Sequence, residues 1–129
     1  MTHDLEQWFS DPMCGADWQD MDIVLAHIEH LPRLTAYLAS SDAPEFKKAE
    51  AMCALLELLE HECSRDGTPE AERLADEIRT TIRRHRNVAG SVMSQLGPVK
   101  EVVLRSILGL TIPSAYPQWV IERAHEEGA

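Results

Sequence analysis

Between Ala71 and Leu96 the apolar residues fall at Ala71, Ala75, Ile78, Ile82, His85, Ala89, Val92 and Leu96. The steps alternate between four and three residues, which keeps one stripe on one side of a helix several turns long. Leu74 and Met93 widen that stripe, and His85 is its only polar member. Thr68 is placed to cap the first free N–H groups, and Pro69 stands where a missing donor costs nothing. Gly97-Pro98 marks the stop. A helix with a single apolar stripe has to be covered, and the neighbouring sequence supplies the cover.

From Asp42 to Cys63 a second helix is expected. Asp42 and Glu45 have capping-box spacing, and Pro44 is tolerated in the first turn. Phe46, Ala49, Met52, Cys53, Leu55, Leu56, Leu59 and Cys63 form its apolar face, while Glu50, Glu57 and His61 fall together on the other side. Ser64-Arg65-Asp66-Gly67 is a short, turn-like connection, so the segments 42–63 and 68–96 are expected to return on each other as a long antiparallel helical hairpin.

The flanking segments read as material laid against the hairpin. Leu5, Trp8 and Phe9 belong to a short terminal helix that needs the bundle to hold it. A helix from Asp17 uses Trp18, Met21, Leu25 and Ile28 and is ended or kinked by Pro32. Arg33–Ser40 makes another through Leu34 and Leu38. Pro98–Leu110 is apolar almost all round, which makes it either a central helix or half of a subunit interface. A last helix covers about Pro117 to Glu126. Alternating β-branched runs are lacking, and Asp66-Gly67 is flanked by helical periodicity on both sides. The expectation is one all-α domain over residues 1–129, a bundle of five to six helices around the hairpin.

Charge and cysteine content restrict function. The formal net charge is −10, a field that repels phosphate backbones and anionic lipid. Nucleic acid and membrane are therefore not expected as partners; a protein partner is, and the apolar 99–112 segment is the expected route to a homo-oligomer. Three cysteines cannot all pair, and Met1–Glu6 has neither a basic start nor an apolar stretch, so the expected compartment is the cytoplasm.

The candidate chemistry is sparse. His27 and His30, Glu57 and His61, and Glu122 and His125 have ligand-like spacings, but a carboxylate-bridged di-metal bundle needs two Glu-x-x-His steps and two further glutamates facing inward. Ser91, Ser94 and Ser106 lack a glycine elbow, and glycine-rich phosphate loops are missing. Pro113 and Pro117 interrupt any helix-turn-helix at Gly109. No catalytic residue and no cofactor is expected. What stands out is the run Arg79, Arg83, Arg84, His85 and Arg86, the one basic cluster of an acidic chain, wrapped around the one polar residue of the stripe. It is the candidate interaction or switch site, with intramolecular pairing to Glu45 and Glu50 as its structural counterpart. The functional expectation is protein–protein interaction, as adaptor, antagonist or regulator. A bundle binding a metal or small ligand, and an acidic mimic of nucleic acid, are the alternatives.

Overall fold

The computed structural model describes residues 5–10, 28–40, 43–60 and 68–126, and among these every regular element is helical. The described residues form seven α-helices, more than the five to six expected: α1 (Leu5–Ser10), α2 (Leu31–Ala39), α3 (Glu45–Leu58), α4 (Pro69–Arg84), α5 (Arg86–Val92), α6 (Pro98–Leu108) and α7 (Gln118–Glu126). Short 3-10 turns at Ile28–His30 and Met93–Gln95 lead into α2 and out of α5. The expected Asp17 helix, the cap at Asp42, the 64–67 turn and Cys14, His27, His61 and Cys63 lie outside the described residues.

The extra helix comes from a break. The periodic segment 68–96 begins as its sequence dictates: Thr68 Oγ1 accepts from the Ala71 N–H at 3.1 Å, and Pro69 opens the helix. Ala71, Ala75, Ile78, Ile82, Ala89 and Val92 of the stripe are all buried. The helix does not run through, however. His85 leaves helical geometry, with φ −115° and ψ 43°, and separates α4 from α5. The two pieces then take different principal partners: α5 packs on α3, whereas α4 packs on α6 and touches α3 only lightly. One stripe thus serves two neighbours, which a straight rod against a single partner would not do.

α3 is the most enclosed element. Ala51, Met52 and Ala54 through Leu59 are buried, because α2 covers one side and α5 another. Its rotation differs from the pattern-based expectation. Phe46 is exposed, whereas Lys47 is fully buried. The Lys47 ammonium donates to the Trp8 carbonyl and lies 4.4 Å from the Trp8 ring centroid and 5.6 Å from that of Tyr37. Trp8, Phe9 and Tyr37 form a three-ring cluster at centroid distances of 5.1–5.8 Å, which fastens α1 to α2 and α3. A buried ammonium is costly unless paired. Here a carbonyl and two ring faces replace part of its water shell.

Glu57, expected on a solvated face, is also buried, and its carboxylate binds Lys100 of α6. Glu60 lies 3.3 Å from the same ammonium. Burial alone would lower the Lys100 pKa, but hydrogen bonds and charge from Glu57 and Glu60 outweigh it and hold the ammonium above its usual range. The preceding helix that Pro32 is expected to end or kink lies largely outside the described residues; Pro32 itself occupies the first turn of α2, where its fixed φ is favourable. Likewise Pro44 stands at the N-cap position of α3.

Val102, Val103, Leu104, Ile107 and Leu108 are buried within this one chain, mainly beneath α7. The apolar face of α6 is therefore covered without a second subunit. No helix among the described residues is long and apolar enough to cross a membrane.

Candidate functional site

The last turn of α6 explains where two of the arginines go. An α-helix leaves four carbonyls without an intrahelical donor. Gly109 follows α6 in the left-handed region (φ 73°, ψ 24°), so the Gly109 N–H reaches Ser106 and the Leu110 N–H reaches Arg105. The remaining two carbonyls are met from across the structure: Arg83 Nε donates to Ile107 at 3.0 Å, and Arg86 donates to Leu108 at 3.0 Å. Both cations sit at the negative end of the helix dipole. Arg83 and Arg86 thus complete a helix terminus.

Arg79 is committed elsewhere, to Asp76 one turn back at 2.9 Å. The five sequence-selected residues therefore separate. Arg79 lies on a local ion pair and Arg83 on α6, while Arg84, His85 and Arg86 line a surface hollow of about 290 Å³ beside the helix break. Leu38 from the end of α2, Glu45 and Lys48 from the first turn of α3, and Asn87 and Val88 from α5 complete its walls. Three cations face one carboxylate there. Lys48 and Arg84 form no salt bridge among the described residues, so the expected pairing of the arginine run with Glu45 is limited to their sharing this hollow.

His85 is half-buried at the base of the break. Partial burial, followed by the positive charges of Lys48 and Arg84, holds its imidazole below the usual histidine pKa. At neutral pH the ring is thus the neutral member of a cationic group. Lys48 carried no signal in the sequence beyond its type: only the docking of α3 on α2 and α5 brings it beside the arginines.

The opposite end of α6 carries a second, dissimilar feature. Val99, Trp119, Glu122, Arg123 and Glu126 line a shallow hollow between the start of α6 and the outer side of α7. Trp119 is 61% exposed, the highest value among the described large apolar residues left at the surface; Phe46 and Leu110 stand at 41% and 43%. The loop from Gly109 to Pro117 that delivers α7 is tied down, since Arg105 donates to Glu101 at 3.0 Å and to the Thr111 carbonyl at 3.1 Å. The Tyr116 hydroxyl also donates to Glu101 and is the main cause of that carboxyl's lowered pKa. Trp119 is consequently displayed on an anchored helix.

Glu122 and His125 are both exposed on α7, and no group of three or more metal-ligating side chains forms among the described residues. A scan against protein-family models and searches of curated proteins and of solved structures find no match to this chain.

Proposed function

We propose that this protein acts in the cytoplasm by binding another protein through the outer face of α7, with Trp119 as the anchor. The exposure of Trp119 carries the reading. Burying an indole on association removes a large apolar area from water, and tryptophan is enriched among residues that dominate interface energies. Two carboxylates, Glu122 and Glu126, flank it against one guanidinium, Arg123, in a chain of net charge −10. The complementary partner surface is an apolar pocket rimmed by lysine or arginine. In this reading α3 packed between α2 and α5 is the scaffold, and α6 with α7 is the presenting arm.

The test compares wild type with Trp119→Ala and with Glu122→Lys/Glu126→Lys. A partner held by wild type should be lost from the first variant and weakened in the second, with binding that decreases as salt rises. Equal capture by all three proteins would exclude this face. Sedimentation of the purified proteins identifies the case in which the partner is a second copy, since the mass of wild type alone would then exceed that of Trp119→Ala.

A further inference from the structure

We infer that the hollow at the α4–α5 break is a binding site for a small phosphate-type oxyanion, held between Lys48 and Arg84 with His85 and Asn87 beside them. The inference is independent of the α7 surface. It starts from charge. The chain has 22 acidic residues against 12 Lys and Arg, yet three of those twelve line this one hollow with a single carboxylate, Glu45. Elsewhere Arg73 pairs with Glu70, Arg79 with Asp76, Lys100 with Glu57 and Glu60, and Arg105 with Glu101, while Lys47 and Arg83 donate to backbone carbonyls and Arg33 stands over the Phe9 ring. Among the described residues Lys48 and Arg84 form no ion pair, and both are close enough to His85 to disfavour its protonation. Like charges gathered in a concave site raise the local potential, and a bound anion relieves their repulsion.

The donors define the ligand class. An ammonium, a guanidinium fork, an imidazole and a carboxamide offer many N–H groups, and charge-assisted bonds to phosphoryl oxygens are among the strong ones. Two unpaired cations match a dianion better than a monocarboxylate. The hollow is about 290 Å³, room for a phosphoryl group with a small substituent. No Phe, Tyr or Trp side chain lines it, so the large aromatic platforms on which successive bases of a nucleic acid strand stack are not part of the hollow. The elements that form it arrive from three places in the sequence, and the helix break at His85 is what turns Arg84 and Asn87 to its rim.

The experiment titrates the full chain with inorganic phosphate and with pyrophosphate at low ionic strength, read by calorimetry and by the NMR resonances of the His85 ring. Saturable one-to-one binding that moves those resonances is expected. Lys48→Gln and Arg84→Gln should each weaken it about tenfold, while Lys48→Arg retains it. Arg73→Gln, on an exposed part of α4 outside the hollow, should leave it unchanged. A His85 shift reproduced by sodium chloride at matched ionic strength would overturn the assignment. So would an Arg73→Gln effect as large as that of Arg84→Gln, or the absence of saturation at millimolar anion. Thermal melts of each variant check that loss of binding is not loss of fold, and both glutamine substitutions are at solvent-accessible positions chosen for that reason.

Discussion

The two ends of α6 use their conspicuous side chains in opposite ways. At its C-terminal end the charged residues are turned inward to the architecture: Arg83 and Arg86 hold the carbonyls of Ile107 and Leu108. At its N-terminal end, about 14 Å away along the axis, Val99 sits beside Trp119, a large apolar side chain that the fold leaves in water. Residue type alone would assign these roles the other way round, with arginines as surface and tryptophan as core. What separates them is whether each group already has a partner inside the chain.

The severest way to break this comparison is to loosen the helix that joins the two ends. Leu104 is fully buried midway along α6. Leu104→Ala should cost about 2–4 kcal/mol in urea unfolding, the lost transfer energy plus the cavity left behind. Amide exchange at Val102 and at Leu108 should then accelerate together. If only one end speeds up, the two regions are separate units and the comparison concerns two small modules, not one helix.

Removing the arginine caps is the next largest perturbation. Arg83→Ala/Arg86→Ala leaves two terminal carbonyls without their donors, and charge-assisted bonds at a partly exposed site give an expected loss of about 2 kcal/mol for the pair. Urea midpoints measure it directly. A loss under about 0.5 kcal/mol, the range of an ordinary surface change, would mean that water serves those carbonyls equally well and that the run is free for another purpose. Trp119→Ala should behave in the reverse manner, with stability within about 0.5 kcal/mol of wild type and partner affinity down by about 2 kcal/mol or more. A strongly destabilised Trp119→Ala would place the indole in the architecture after all.

This difference was only partly legible in the sequence. The 71–92 stripe was, because an amphipathic helix has to bury its apolar side whatever covers it, and the Thr68-Pro69 start was, because capping is local chemistry. The break at His85 was not. No proline or glycine occupies that position, and the turn is accounted for by tertiary bonds: α5 docks on α3 while Arg83 and Arg86 are held by α6. The rotation of α3 differs from its pattern for a related reason. The pattern sets Phe46 on the apolar face and Glu57 on the solvated one, but a helix enclosed on most sides buries part of its polar face as well, and the structure exposes Phe46 and buries Lys47 and Glu57. Lys47 and Glu57 are buried because Trp8 and Lys100, distant in sequence, supply their partners. Of the site, Arg84, His85 and Arg86 were readable as a cluster; Lys48 became part of it only through packing.

The smallest effect tests the hollow itself, through pH. Partial burial and the charges of Lys48 and Arg84 keep the folded-state pKa of His85 below the value of about 6.5 that an imidazole has in an unfolded chain. Between those two values the unfolded chain binds the proton and the folded chain resists it. The stability His85 contributes by staying neutral is therefore complete above the unfolded pKa, and is lost as pH falls through it toward the folded one. The chain has six histidines, so the informative quantity is the difference between wild type and His85→Gln, followed by urea unfolding from pH about 7.5 to about 5.5. Wild type should lose ground to the variant on acidification, modestly, because the ring keeps contact with solvent. Saturating inorganic phosphate should reduce or reverse that trend. An anion between Lys48 and Arg84 offsets the charges that oppose protonation, so the imidazolium is less disfavoured, and this holds although inorganic phosphate itself passes from dianion to monoanion over the same range. A difference curve identical with and without phosphate would leave His85 as a structural pivot of the break and detach it from any anion at Lys48 and Arg84.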